Sequence, residues 1–174
     1  TGTWKSSDWD EDFLTGIVVE YVQGKSGLLS QVDGFFLMAR DFHRKADELA
    51  HEGGLNNRRL AVISAVHSIE MFLYGLFDRR DDLGLSAYRE DLNQTLGPRE
   101  SLGKLEKALL EAGIIPPKKN LAYRDQLSSM IGKRDMIIHH AHEVTEDEVA
   151  RHMRESRSFI EKYCAELLLP DILQ

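Results

Sequence analysis

The sequence predicts an all-α fold, a bundle of about five to seven helices. Three observations lead there. Apolar residues recur at spacings of three and four in one segment after another, the period of a helix with one buried face. Helix starts and stops punctuate those segments: Gly24, Gly53-Gly54, Pro98, Gly113, Thr145-x-x-Glu148 and Pro170. The one strand-like run, Ile17-Val18-Val19, has no obvious partner elsewhere in the chain.

In order, Ser7 followed by Asp8, Asp10, Glu11 and Asp12 forms a capped, acidic first turn, and Phe13 to Val22 continue it as a helix. Gly24-Lys25-Ser26 lacks the earlier glycine of a phosphate-binding loop, because Val19 stands there. A second helix is expected from about Leu28 to His51. The third, from about Asn57 to Phe77, carries Ala61, Val62, Ala65, Val66, Ile69, Phe72, Leu73 and Leu76 around nearly half its circumference and is expected at the centre of the core. His67, Glu70 and Tyr74 lie at the edge of that face. A charged connection, Arg79 to Gly84, leads to a short helix expected over Ser86 to Leu96. Pro98 opens the next helix, with Leu102, Leu105, Leu109 and Leu110 on its apolar side. After Ile114-Ile115-Pro116-Pro117 a helix is expected from about Asn120 to Ala141, and the capping box Thr145-x-x-Glu148 starts the last one, running to about Leu169.

The helix over 120–141 holds the chemistry. Tyr123, Leu127, Met130, Ile131, Ile137, Ile138 and Ala141 form its apolar stripe, and Arg134 falls near the middle of it. A guanidinium there needs a partner, for which Glu70 is a candidate. Beside it run Ser128, Gly132, Asp135, His139 and His142, so that Asp135 and His139 are i,i+4 neighbours able to meet on the helix surface. A histidine near its ordinary pKa of about 6.5 suits proton transfer, and an arginine suits phosphate oxygens.

Composition narrows the alternatives. The 174 residues make one ordinary globular domain. No apolar run suggests a membrane span. The first residues, from Thr1, are no signal peptide, and a start without Met implies a processed product or a piece of a larger parent protein. The single cysteine, Cys164, excludes an internal disulfide and a cysteine-based zinc site, and fits a reducing cytoplasm. A net charge of −7 argues against coating nucleic acid through the overall field, while leaving room for a local basic cleft. The pairs Arg58-Arg59, Arg79-Arg80 and Lys118-Lys119 are expected as solvated surface. A bundle metal site would want Glu-x-x-His or His-x-x-x-His fragments on facing helices; His67-x-x-Glu70 is one such fragment, but none lies on the helix with Arg134. No metal and no cofactor is expected. A Ser–His–Asp hydrolase lacks its Gly-x-Ser-x-Gly elbow.

The run Arg134-Asp135-Met136-Ile137-Ile138-His139 resembles the hallmark of the HEPN superfamily, helical domains of many prokaryotic RNA-cleaving toxins and defence proteins. That hallmark is an arginine, a polar residue and, after a short spacer, a histidine near the end of a late helix. The resemblance covers about residues 28–169, so residues 1–27 are expected as a helical extension and 28–174 as the HEPN-like domain. It implies a metal-independent endoribonuclease of a toxin–antitoxin or antiviral defence system. The RNA 2′-hydroxyl attacks the adjacent phosphate, leaving a 2′,3′-cyclic phosphate and a 5′-hydroxyl. His139 would move protons, Arg134 would hold the phosphate and Asp135 would orient His139, with Glu70, His140 and Lys133 in support. The family also contains non-catalytic nucleotide-binding or dimerisation modules, and that alternative stays open. Expected partners are RNA, a second copy of the chain, and an antitoxin or the remainder of a parent protein, with no membrane. The second copy fits the geometry as well: residues five apart on a helix diverge by about 140°, so one helix cannot easily aim Arg134 and His139 at one phosphate unless it frays or a second copy contributes. A two-fold dimer is expected to let both line one cleft.

Overall fold

From Gly34 onward the chain is built on a single apolar helix with others laid against it. The computed structural model describes residues 34–92, 97–115 and 123–174. The expected extension over 1–27, the start of the helix expected at Leu28, the end of the one expected at Leu96 and the Pro116-Pro117 turn lie outside the described residues. Among the described residues there are five α-helices and one 3-10 turn, and no strand. The fold is all-α.

Helix α1, Gly34–Glu52, buries Phe36, Leu37, Ala39, Phe42, Ala46 and Leu49. Gly53 and Gly54, both with positive φ (70° and 85°), reverse the chain in two residues, a backbone that side chains disfavour. Helix α2, Leu55–Asp78, then returns antiparallel to α1. Ser68 Oγ donates to the Ala39 carbonyl at 2.6 Å. Near its end Gly75 lets the Phe36 ring lie flush on the backbone: a Cβ there would come within 2.5 Å of two ring carbons. By length and composition α2 could cross a membrane, but most of it is buried inside the fold, as a core helix is.

The helix expected over Ser86–Leu96 is instead a 3-10 turn, Ser86–Tyr88, followed by further turns through Leu92. Leu85 and Leu92 are both fully buried, while Ser86, Ala87, Glu90 and Asp91 between them are exposed. With only the half-buried Tyr88 reaching the core between Leu85 and Leu92, the segment offers little packing to offset the cost of helix nucleation.

Helix α3, Pro98–Glu111, begins on its proline and buries Leu102, Leu105 and Leu109. Helix α4, Tyr123–His140, buries Leu127, Met130, Ile131 and Ile137. It ends one residue before the expected Ala141, which is exposed and turns the chain with φ 49°. Helix α5, Glu146–Glu166, opens on the expected capping box: Glu148 N donates to Thr145 Oγ1 at 3.2 Å and Thr145 N to Glu148 Oε2 at 2.8 Å. It stops short of Pro170. Leu168 takes a left-handed φ of 54°, and Leu169 N reaches back to the Cys164 carbonyl at 2.9 Å, a Schellman end with leucine in the slot glycine usually fills. That turn exposes Leu168 but folds Leu169, Ile172 and Leu173 onto the core.

Helix α2 lies at the centre and packs on α3, α4 and α5 as well as α1. Phe72 of α2 meets Phe159 and Tyr163 of α5 edge-on, at 6.4 and 6.3 Å between ring centres. Edge-to-face aromatic packing of this kind adds roughly 1 kcal/mol per pair to the burial of the rings. Because α2 is gripped on several sides, polar residues at its edges hold defined positions against α4. These set the candidate site.

Candidate functional site around Arg134 and His139

Arg134 emerges from the α4 stripe exactly where a charge needs company, and α2 supplies it. Its Nη1 donates to Glu70 Oε1 across the α2–α4 interface. Its Nε and Nη2 both donate to Asp135 Oδ1, each at 3.2 Å. The other oxygen of Glu70 meets His67 Nδ1 at 2.6 Å, one turn earlier on α2. His67, Glu70, Arg134 and Asp135 thus form one continuous polar chain. Its inner members are largely covered, with 11% of the Glu70 side chain and 15% of Arg134 exposed, against 48% for Asp135.

The electrostatics follow from that arrangement. Burial works against ionisation of Glu70, but the His67 hydrogen bond and charge, joined by Arg134, outweigh it and hold the carboxyl below its usual range. Burial likewise opposes the Arg134 charge, and Glu70 and Asp135 more than restore it, so the guanidinium is held above its ordinary value. Beside the pair, Tyr74 is pushed up by burial and by the Glu70 charge.

The expected meeting of Asp135 with His139 does not occur: no hydrogen bond joins them, and Asp135 is turned to Arg134 instead. Charge-assisted bonding to an adjacent guanidinium outcompetes a contact with an exposed imidazole. His139 and His140 both stand exposed at the end of α4, their rings 6.5 Å apart and edge-on at 68°. Helix α4 is continuous from Tyr123 to His140, so Arg134 and His139 keep the divergence of about 140° that five helical residues impose. One chain therefore presents an organised, half-buried cation and a separate, exposed histidine pair.

Lys133 has a different task. Its Nζ donates to Glu148 Oε1 at 2.6 Å and to the Glu143 carbonyl at 3.4 Å, tying α4 to the capping box that starts α5. The Lys133 bond is the largest of the influences that lower Glu148, to about 2. Below them lies His152, 1% exposed, whose ring nitrogens find no hydrogen-bond partner among the described residues, with Glu155 Oε2 no nearer than 4.0 Å. Burial, with the charges of Arg151 and Lys133, lowers its pKa to about 4.

The Arg58-Arg59 pair, expected as solvated surface, is committed to the loop that follows α4. Arg58 Nε donates to the Val144 carbonyl at 2.7 Å, and its Nη1 lies 3.6 Å from Glu146. Arg59 Nε donates to the His142 carbonyl at 3.0 Å and its Nη2 to that of Ala141. These partners are more than 80 residues away in sequence, and no local pattern announces them. His67 did carry a signal, its three-residue spacing from Glu70, although that spacing suggested a metal fragment rather than an ion-pair chain. Among the described residues no three His, Cys, Asp or Glu side chains gather as a metal ion requires.

Comparison with protein-family models, curated proteins and solved structures finds no match to this chain. The site's geometry and chemistry carry the functional reading.

Proposed function

We propose that the chain is a metal-independent endoribonuclease of the HEPN kind, acting in the cytoplasm within a toxin–antitoxin or antiviral defence system. The observation that carries this is the unequal pair of carboxylates on Arg134. Glu70 holds the guanidinium from the protected side, and the half-exposed Asp135 covers its other edge. An incoming RNA phosphate can displace Asp135 while Glu70 keeps the guanidinium in place. The fork that now grips one carboxylate oxygen is then turned to non-bridging phosphate oxygens.

In the cleavage step the ribose 2′-oxygen forms a bond to phosphorus and the bond to the 5′-oxygen breaks. The 2′-hydroxyl gives up its proton and the leaving 5′-oxygen gains one. His139 is exposed, is tied to no carboxylate among the described residues, and exchanges protons at one of these two oxygens. Because one α4 points Arg134 and His139 apart, the working site is composite. A two-fold pair of chains sets Arg134 of one against His139 of the other, with His140 flanking His139. Lys133 serves by holding α4 to α5.

A second reading has its own support. With Asp135 bonded to Arg134, His139 has no orienting carboxylate among the described residues, which suits a nucleotide-binding or dimerisation module that does not cut. Single-stranded RNA incubated with the protein in EDTA separates the two. Fragments ending in 2′,3′-cyclic phosphate and 5′-hydroxyl support the nuclease; intact RNA in a stable complex supports the module.

A further inference from the structure

The last turn of a helix is its least secure part, because its final carbonyls lack intrahelical partners and its ends fray. His139 and His140 occupy that turn of α4. Two sets of bonds secure it. Within the segment, Ala141 N donates to the Ile137 carbonyl at 3.0 Å and His142 N to that of Met136 at 3.3 Å, which folds the chain back on the turn through the left-handed Ala141. From outside, Arg59 of α2 spans the Ala141 and His142 carbonyls with two nitrogens of one guanidinium, while Arg58 takes Val144. Asn56 Oδ1, at 3.4 Å from Arg59 Nη1, steadies the fork. Left-handed backbone costs a non-glycine residue about 1 kcal/mol or more, so this turn needs what Arg59 adds.

We propose that Arg59 is a positioning residue for His139: by clamping the Ala141 and His142 carbonyls it fixes the end of α4 on which that histidine stands. Helix α2 thereby sets both halves of the candidate machinery, Arg134 through Glu70 and His139 through Arg59. The two helices run antiparallel, so the grips fall in matching order along the interface. Arginine suits this task better than lysine, since its planar fork is preorganised to span two successive carbonyls, whereas a lysine ammonium on a flexible stem would hold them only in part. The consequence for cleavage rests on the nuclease reading above. The consequence for the geometry of α4 does not.

The test compares wild type with Arg59→Gln and Arg59→Lys. Three measurements are made: ring proton–carbon NMR signals of His139, amide hydrogen exchange over Ile137–His140, and cleavage of single-stranded RNA in EDTA. Circular dichroism checks folding. In Arg59→Gln the His139 signal should move and exchange in the last turn should rise about tenfold. Its kcat should fall about tenfold or more with KM little changed, as misplacement of a reacting group entails. Arg59→Lys should recover part of both. A folded Arg59→Gln protein whose His139 signal and exchange match wild type overturns the proposal, as does a loss of kcat without change at His139. If Arg59→Gln fails to fold, Arg59→Lys decides by the same signals. If wild type cuts no RNA, the nuclease reading falls while the NMR and exchange measurements still decide the role of Arg59.

Discussion

Glu70 stands between two bases, His67 and Arg134, and its loss isolates a largely covered guanidinium. Glu70→Gln keeps the shape and removes the charge. With Asp135 still in reach of Arg134, destabilisation of about 2 kcal/mol is expected, below the usual cost of breaking a fully buried pair. Replacing both partners, Glu70→Leu with Arg134→Met, should cost less than Glu70→Gln alone, because no unpaired charge remains. Urea unfolding midpoints of the three proteins check this. His152 has the opposite problem: it is buried and unpaired. Its folded pKa of about 4 lies below the ordinary 6.5, so the unfolded chain binds its proton first as pH falls. The contribution is complete above pH 6.5 and is lost between 6.5 and 4, on the order of 3 kcal/mol for a shift of this size. Buried His43 is lowered too and adds in the same direction. Glu148 and Glu70, both depressed, lose their contributions as pH falls through the carboxylate range. Stability should therefore drop between pH 7.5 and 5.0, and His152→Leu should shrink that drop. An equal drop in the variant would locate the sensitivity elsewhere.

At the level of elements, Gly75 sets how closely α1 approaches α2. A Cβ there meets the Phe36 ring at 2.5 Å, a collision that a ring packed on Phe72 and beneath Arg79 cannot easily escape. Gly75→Ala should destabilise by about 1–3 kcal/mol, and Gly75→Ala with Phe36→Leu should recover part of it; thermal melts of both decide. The helices themselves were legible because their signals are local: the apolar period of α2, Gly53-Gly54 between α1 and α2, Pro98 opening α3, and the capping box of α5. Where the segment from Ser86 reads as helix, propensity had only the half-buried Tyr88 to work with between Leu85 and Leu92. Pro170 looked like the stop for α5, yet the backbone turns at Leu168, since turning early puts Leu169, Ile172 and Leu173 on the core. Tertiary packing overrode the local signal.

At the scale of the whole molecule, the candidate site was legible in part for the same reason. That Arg134 needs a partner follows from its place in an apolar stripe, and Glu70 was in view because it edges the core helix. Which of two neighbours Asp135 would choose does not follow from helical spacing. Spacing lists the contacts a residue can make, and the strength of the competing charge decides among them. Arg59 was invisible: its carbonyl partners lie 82 and 83 residues away. The divergence of Arg134 from His139 is what the proposed two-fold assembly would resolve. Light scattering should give about twice the 19.8 kDa chain mass, and a monomer that still cleaves RNA would remove the composite site.

The most direct measurement sets wild type beside His139→Ala on single-stranded RNA in EDTA. His139 is exposed, and the ring it meets among the described residues is that of its neighbour His140, so its removal should leave the helical circular dichroism unchanged. Wild type should produce cyclic-phosphate ends, and the variant should lose cleavage by at least about a hundredfold, the lower range for a missing general acid–base group. A folded His139→Ala protein that cuts as fast as wild type, or a wild-type protein that leaves RNA whole, contradicts the ribonuclease assignment at its centre.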